Sequence, residues 1–158
     1  METNNYQQET NFQNCFIDKK IISGCKILTT EFRLYEPYSL FKSEIRGIYD
    51  KSVKEVIGKI DVIFKYRQRT YTGEIKWTIP RNDFWDAMKI IGYNIYYNWQ
   101  NETWGGFGRA YPAILIPIKH IKLEHKIVAN KLKISLFGID THKSGYSLEL
   151  TNPSFGSK

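Results

Sequence analysis

A chain of 158 residues and 18.6 kDa can bury a hydrophobic core without disulfides or a structural metal, so we expect a single domain. Hydrophobic residues make up 42% and charged residues 25% of the chain, which places it among ordinary soluble globular proteins and excludes a low-complexity chain. The formal net charge of +7 favours a polyanionic partner, with nucleic acid as the first candidate, although many basic proteins bind none.

The cysteine spacing and the hydropathy of the chain exclude several further classes. Cys15 and Cys25 are the two cysteines, and they match no zinc or redox motif. No segment has the roughly 20 apolar residues that span a bilayer, and the polar start has no signal-peptide core. We therefore expect an intracellular, cytoplasmic protein without a membrane partner. The abundance of Ile, Asn, Lys and Tyr hints at a virus or mobile element, in which case the protein works in the host cytoplasm.

The first third of the chain combines a polar start with a predicted helix. Residues 1–14 are rich in Asn, Gln, Thr and Glu and are expected to form a flexible arm without chemistry, followed by one domain over residues 15–158. Thr29 to Arg46 is predicted to be helical, with a break near Pro37. Glu44 lies beside an apolar stripe close to the end of this predicted helix.

The rest of the chain alternates between strand and helix patterns. Val53 to Trp77 shows period-two alternation twice around a polar tip, which predicts a β-hairpin. Asn82 can cap a helix that runs to about Trp99 and that should be largely buried, because apolar residues cover most of its circumference. Apolar runs predict strands over Tyr111 to Ile118 and Lys131 to Ile139, and the tail from Asp140 is polar and rich in Gly, Ser and Pro. This order predicts a mixed α/β (α+β) sheet flanked by helices.

The predicted hairpin brings two acidic residues together. Alternation puts Asp61 on the polar face of the first strand, and Glu74 and Lys76 on the polar face of the second. A tight turn at Arg67 and Gln68 places Asp61 opposite Glu74, with Cβ atoms roughly 4.5 to 5.5 Å apart. Arg-Gln lacks the Asn or Gly of preferred two-residue turns, so a longer loop with the same centre is equally open. The expected apolar pairs are Val62 with Gly73, Phe64 with Tyr71, and Ile60 with Ile75.

Two carboxylates at this distance repel each other unless one is protonated or a cation lies between them. Mg²⁺ resolves the conflict, because it prefers oxygen ligands and is usually held by one or two carboxylates plus a substrate phosphate. A metal-held water can attack phosphorus near neutral pH, and Lys76 could orient that water or stabilise the departing charge. The pattern thus favours phosphodiester hydrolysis. The simpler interpretation is a solvated salt-bridge ladder of Asp61, Glu74, Lys59 and Lys76 on an exposed sheet face.

Two segments of the hairpin carry a resemblance to a known family. Gly58 to Ile63 (GKIDVI) followed by Gly73 to Trp77 (GEIKW) resembles the Asp and Glu-x-Lys elements of the PD-(D/E)XK nuclease superfamily. The superfamily includes RecB- and Cas4-like nucleases, archaeal Holliday-junction resolvases and many restriction enzymes. The resemblance implies a restriction-endonuclease-like core of helix, three antiparallel strands, helix and strand. It also implies a Mg²⁺-dependent deoxyribonuclease, in which Mn²⁺ could substitute for Mg²⁺.

The resemblance also implies roles for individual residues. Asp61 and Glu74 bind Mg²⁺, and the backbone carbonyl of Ile75 is a further ligand. Lys76 assists the attacking water, so that the catalytic set is Asp61, Glu74 and Lys76. A Glu from the first helix often completes the site in this family, which makes Glu44 a candidate ligand.

The chain departs from the family pattern at two places. RecB-like members carry a Gln and a Tyr one turn apart on the helix after the strands, whereas Lys89 and Tyr93 hold these places here, with Asp86 one turn earlier. We assign supporting roles to these three side chains. Ile60 stands where the proline of the family's name is expected. Contacts with the phosphate backbone are expected from five basic side chains, namely Lys59, Lys65, Arg67, Arg69 and Arg81.

We therefore interpret the chain as a Mg²⁺-dependent deoxyribonuclease whose partner is DNA, expected to be double-stranded. The alternative, from a different class, is a non-catalytic nucleic-acid-binding or assembly protein that uses the same sheet as a scaffold. Endonuclease as opposed to exonuclease action, an RNA substrate and a homodimer all stay open at this point.

Overall fold

The computed structural model describes residues 10–14, 25–35, 56–78 and 84–152, with side chains from residue 87 onwards in the last range. These ranges form one six-stranded sheet with helices packed on it. The elements are α1 (10–14), β1 (Cys25–Tyr35), β2 (Val56–Tyr66), β3 (Arg69–Ile75), α2 (Phe84–Trp104), β4 (Ala110–Pro117), a 3₁₀ turn (Ile118–His120), α3 (Leu123–Leu132), β5 (Ser135–His142) and β6 (Gly145–Leu150).

The strands lie in the sheet in the same order as in the chain. β1, β2 and β3 are antiparallel neighbours, β3, β4 and β5 are parallel, and β6 returns antiparallel to β5. Parallel neighbours need a crossover connection, which α2 supplies between β3 and β4, and α3 between β4 and β5. The predicted mixed α/β class is therefore confirmed.

The hairpin between β2 and β3 turns in two residues. Arg67 and Gln68 both have positive φ angles, +47° and +70°, as the tightest hairpin turns require. This is the shorter of the two loops left open by the sequence. The predicted pairs of Val62 with Gly73 and of Phe64 with Tyr71 are confirmed.

Both faces of the sheet are covered by apolar side chains. On one face, Phe137 packs edge-on against Phe64, Tyr66 and Tyr71, with ring centroids 5.1 to 5.2 Å apart. The opposite face packs against α2 and α3. The hairpin that carries the two acids therefore lies inside the sheet, paired with β1 on one side and with β4 on the other.

Gly73 allows β3 to pack closely against β4. A Cβ atom at this position would lie 2.5 Å from Leu115 Cδ1 and 3.1 Å from Phe64 and Val62. Because these neighbours are fully buried, we expect Gly73→Ala to lower the free energy of unfolding by about 1 to 3 kcal/mol, measured by urea denaturation. The matched control is Gly92→Ala on α2, which meets no atom within 4 Å and should stabilise the helix by about 0.5 to 1 kcal/mol. Equal stability of Gly73→Ala and wild type would contradict this packing.

The predicted helix from Thr29 to Arg46 is wrong where the structure describes it, because residues 25–35 form the strand β1. Pairing with the full length of β2 supplies hydrogen bonds along this segment and overrides its weak helical spacing. The remainder of the predicted helix, including Glu44, lies outside the described residues.

The end of the polar arm also differs from the expectation. Residues 10–14 form the short helix α1, and Phe12 is buried in the core. Its ring lies 5.5 Å from that of Trp77 and 6.5 Å from that of Tyr146. The burial of Phe12 thus helps to attach a segment whose composition predicts no structure.

Helix α2 is buried on one side only, whereas the sequence predicted a largely buried helix. Ile90 and Tyr97 face the sheet, while Met88 and Ile95 are 51% and 65% exposed. The reason is that α2 has the sheet on one side and no covering layer on the other within the described part of the chain.

Two elements near the C-terminus are absent from the prediction. The helix α3 was not predicted. Its apolar residues Leu123, Ile127 and Val128 are exposed and form no buried stripe. Lys131, predicted as strand, lies in α3, and β5 starts only at Ser135. The polar tail contains the edge strand β6, which antiparallel pairing with β5 stabilises.

Candidate metal centre

The strands β2 and β3 separate where the two acids lie. Within residues 56–78 the backbone pairing of β2 with β3 ends at Val62 and Gly73. Just beyond this pair, the side chain of Asp61 takes the place of a backbone acceptor on β2. Its Oδ2 accepts a hydrogen bond of 2.9 Å from the Ile75 N–H. The expected pair of Ile60 with Ile75 is therefore not formed. Ile60 packs in the cluster beneath α2, and Ile75 lies in the cluster on the opposite face.

Glu74 faces the helix α2 and is almost completely buried. Its residue exposure is 6%, and its Oε2 lies 3.8 Å from the Nζ of Lys89 on α2. The other carboxylate oxygen, Oε1, is buried without a hydrogen-bond partner among the described residues. Buried carboxylate oxygens are normally hydrogen-bonded or bound to a cation, so this oxygen marks a position where a ligand is expected.

The two carboxyl groups share a proton in the absence of a cation. Burial, followed by the charge of Asp61, raises the pKa of Glu74 to about 8. Burial also raises the pKa of Asp61, against the opposing effects of the Ile75 N–H and of a hydrogen bond with Glu74. The buried pair therefore keeps a proton to a higher pH than exposed carboxyl groups do. This is the conflict between close carboxylates that the spacing predicted.

Two lysines partly offset the negative charge of the pair. Lys76 and Lys89 both lower the pKa of Asp61 and of Glu74. The backbone N–H of Lys76 donates to the Leu115 carbonyl over 2.8 Å, which fixes the end of β3 to β4. The Lys89 Nζ lies 5.5 Å from the centre of the Tyr93 ring. Both lysines proposed from the sequence are therefore close to the acids.

Tyr93 supports this arrangement from α2. Its hydroxyl packs on Gly58 of β2, where a Cβ atom would lie only 2.5 Å away. Tyr93 therefore packs α2 closely against β2, on the same helix that carries Lys89. Of the supporting residues predicted on this helix, Lys89 contacts Glu74, Tyr93 contacts Lys89 and Gly58, and the side chain of Asp86 lies outside the described set.

The sequence missed Gln13 of α1. Its side-chain nitrogen Nε2 donates to Asp61 Oδ2 over 3.2 Å and to the Ile75 carbonyl over 2.9 Å. Both acceptors had been predicted as metal ligands, whereas residues 1–14 were expected to carry no chemistry. No spacing rule marks Gln13, because its position depends on the docking of Phe12 at a distance in the chain.

The predicted phosphate-binding residues are spread along the sheet. Lys59 and Lys65 are exposed on β2, and Arg67 and Arg69 lie at the hairpin turn. Arg67 is six residues from Asp61, which corresponds to about 20 Å along a strand. The turn residues are therefore distant from the acids, and Arg81 lies outside the described ranges.

Arg69 and Lys119 lie over exposed or half-exposed rings. The Arg69 guanidinium is 5.2 Å from the centre of the Tyr111 ring, and the Lys119 Nζ is 5.3 Å from that of Trp77. His120 Nδ1 donates to the Trp77 carbonyl over 2.7 Å, since a carbonyl can only accept. Lys119 and His120 thus lie next to the chain segment that follows Lys76, a proximity that the sequence did not predict.

The donor set suits a hard cation. Two carboxylates and one backbone carbonyl, all oxygen, are ligands of the kind that Mg²⁺ takes in proteins. Within the described ranges there is no cluster of three or more His, Cys, Asp or Glu side chains, so any further protein ligand has to come from another residue type or another part of the chain. The unpartnered Oε1 of Glu74 fits this interpretation.

Comparisons with models of protein families, with curated proteins and with solved structures give no match for this chain. In the part of the chain that the structure describes, no helix combines the length and apolarity needed to cross a bilayer. The function has therefore to be inferred from the contacts and charges of the site.

Proposed function

We propose that this chain is a Mg²⁺-dependent deoxyribonuclease with a PD-(D/E)XK-type site. The observation that carries the proposal is the burial of Glu74 beside Asp61, with one carboxylate oxygen of Glu74 left without a hydrogen-bond partner among the residues that the structure describes. Burying two acids side by side is costly, and it is common where a cation or a substrate charge completes the site.

The burial also argues against the simpler interpretation of a solvated salt-bridge ladder. Such a ladder needs carboxylates that remain in contact with water. Glu74 is 6% exposed and Asp61 is only partly exposed, and both have raised pKa values instead of the lowered values typical of acids in surface ion pairs. A purely structural role does not explain why two adjacent carboxyl groups are buried at a cost in stability.

The roles of the residues follow from their contacts. Asp61, Glu74 and the Ile75 carbonyl would hold the cation, which supplies a water of lowered pKa and neutralises charge on the phosphate. Lys76, beside both acids, orients the attacking water or stabilises the leaving oxygen. Lys89 holds Glu74 through the ion pair from α2. Lys89 thereby takes the place that a Gln holds in the RecB-like pattern.

The strand order supports the proposed family core. The resemblance implies three antiparallel strands, a helix and a further strand, and the described chain has β1 to β3 antiparallel, then α2, then β4 beside β3. In this arrangement the Asp belongs to the second strand and the Glu-x-Lys segment to the end of the third, where the strands separate.

DNA is proposed as the substrate because of the charge and its distribution. The net charge is +7, and β2 and the turn that follows it carry exposed basic residues at Lys59, Lys65 and Arg67. Lys65 and Arg67 lie within about 20 Å of Asp61 along the strand, a length that corresponds to roughly six base pairs of duplex at 3.4 Å per pair. Their positive charge favours the binding of a polyanion close to the acids.

The test is cleavage of plasmid and linear DNA by the purified protein in Mg²⁺ or Mn²⁺, with EDTA as the control. We expect cleavage with either cation and none in EDTA, because the two acids cannot activate water without a cation. Intact DNA under every divalent cation would remove the proposal. Appearance of nicked plasmid before linear products would identify endonuclease action.

The alternative is a nucleic-acid-binding protein without catalysis, which the net charge of +7 supports equally well. In that case binding depends on salt through the basic side chains alone. DNA affinity that is insensitive to EDTA and to Asp61→Asn, together with an absence of cleavage, would support this function.

A further inference from the structure

The side chain of Gln13 links two of the proposed cation ligands. Its Nε2 donates to Asp61 Oδ2 and to the Ile75 carbonyl, at 3.2 and 2.9 Å. An amide NH₂ has two hydrogens, so one side chain can satisfy both acceptors at once. A donor group with partial positive charge therefore lies at the point on which two oxygen ligands converge.

A carbonyl or carboxylate oxygen has two lone pairs, so it can bind a metal ion while it accepts one hydrogen bond but not while it accepts two. Asp61 Oδ2 already accepts from the Ile75 N–H in addition to Gln13. Magnesium demands near-ideal octahedral geometry from its ligands, so donors that occupy ligand lone pairs compete with it. Whatever stabilises the cation-free contacts lowers the apparent affinity for the cation.

We propose that Gln13 is a positioning residue that holds Asp61 and the Ile75 carbonyl together in the cation-free protein and is displaced from them by the divalent cation. The inference rests on the proposed function, since it presumes a cation at the acids. The N-terminal segment thus has a direct role in the site. The Gln13 amide binds the ligand oxygens in the cation-free protein and leaves them when the cation binds.

The attachment of α1 is consistent with displacement. α1 has five described residues, and Phe12 is the one that is buried, while Asn11 and Asn14 are exposed. A helix this short has little stability of its own, so Gln13 can turn away without disrupting the sheet. Phe12 packs against Trp77, so a movement of α1 alters the surroundings of an indole ring.

The first test compares the divalent-cation affinity of Gln13→Met with that of wild type, by calorimetry with Mg²⁺ and Mn²⁺. Methionine keeps the length of the side chain and removes both donors. We expect binding to tighten by about three- to tenfold, because one or two net hydrogen bonds of the cation-free state are lost. Asn11→Ala on the same helix is the matched control and should leave the affinity unchanged. Unchanged or weaker binding by Gln13→Met would overturn the inference.

The second test observes wild type directly and does not depend on a variant. The side-chain NH₂ resonance of Gln13 is assigned by its disappearance in Gln13→Met and followed during a Mg²⁺ titration. We expect it to move from a hydrogen-bonded position to that of a solvated amide as the site fills. A resonance that keeps its position at saturating Mg²⁺ would show that the amide stays bound, and the inference would be lost.

The outcomes separate this inference from the proposed function. Displacement of Gln13 by Mg²⁺ in a protein that cuts no DNA supports the inference and removes the nuclease. Cleavage of DNA by a protein whose Gln13 amide does not move on Mg²⁺ binding supports the nuclease and removes the inference. Failure of both wild type and Gln13→Met to bind any divalent cation would remove both.

Discussion

Glu74→Gln and Lys76→Ala are each expected to lower the rate of Mg²⁺-dependent DNA cleavage by on the order of 10² to 10⁴. Gln has the shape of Glu but cannot carry its charge, so the cation loses an anionic ligand while the packing against α2 is kept. Ala at position 76 removes the ammonium group and leaves the backbone hydrogen bond to the Leu115 carbonyl in place. The measurement is the initial rate of plasmid cleavage at saturating Mg²⁺.

Matched controls separate the site from general charge effects. Glu149→Gln on β6 and Lys143→Ala in the β5–β6 turn change the same residue types at exposed positions. Both should cleave DNA at the rate of wild type. Full activity of Glu74→Gln would contradict the proposed site, and equal losses in Lys76→Ala and Lys143→Ala would indicate an effect of net charge on DNA binding.

The stability of the cation-free protein is expected to fall as the pH rises from about 4.5 to about 8. The folded-state pKa of Glu74 is about 8, against 4.5 for an unperturbed Glu. Below pH 4.5 both the folded and the unfolded chain hold the proton, and the stabilisation is fully present. As the pH rises through 8 the folded state has to ionise a buried acid beside Asp61, and the stabilisation is lost.

The expected loss is on the order of 3 to 5 kcal/mol, since each pKa unit corresponds to about 1.4 kcal/mol. The raised pKa of Asp61 acts in the same direction. A saturating divalent cation should reverse the trend, because it binds the ionised pair and its affinity rises with pH.

Urea denaturation between pH 5 and pH 9 in EDTA measures this dependence. Glu74→Gln should show a much flatter profile and should exceed wild type in stability above pH 8. Glu149→Gln, exposed on the edge strand, should follow the wild-type profile. A wild-type protein that gains stability over this pH range without a cation would contradict the shared proton.

The alternation of apolar and polar residues made it possible to predict the hairpin from the sequence. Alternation in β2 and β3 predicted the pairs of Val62 with Gly73 and of Phe64 with Tyr71, and it predicted that Asp61 and Glu74 converge. Helix α2 and strand β4 were also predictable, because their patterns are long and their packing is local to one sheet. The local sequence pattern is therefore sufficient to predict these two elements.

The errors came from segments whose structure depends on distant partners. β1 was predicted as helix because its strand character arises from pairing with β2. The face of Ile60 was assigned wrongly because alternation breaks where β2 leaves β3 and Asp61 takes over the hydrogen bond of Ile75. Local spacing contains no information on either contact.

The sequence by itself determined which residues could form the site, namely two acids and a lysine on adjacent strands, since side-chain alternation depends only on the strand repeat. Only the tertiary structure decided that Glu74 is buried, that Lys89 reaches it from α2 and that Gln13 bonds to two proposed ligands. The physical reason is that burial and long-range hydrogen bonds depend on which elements pack together, and a pattern along one strand does not carry that information.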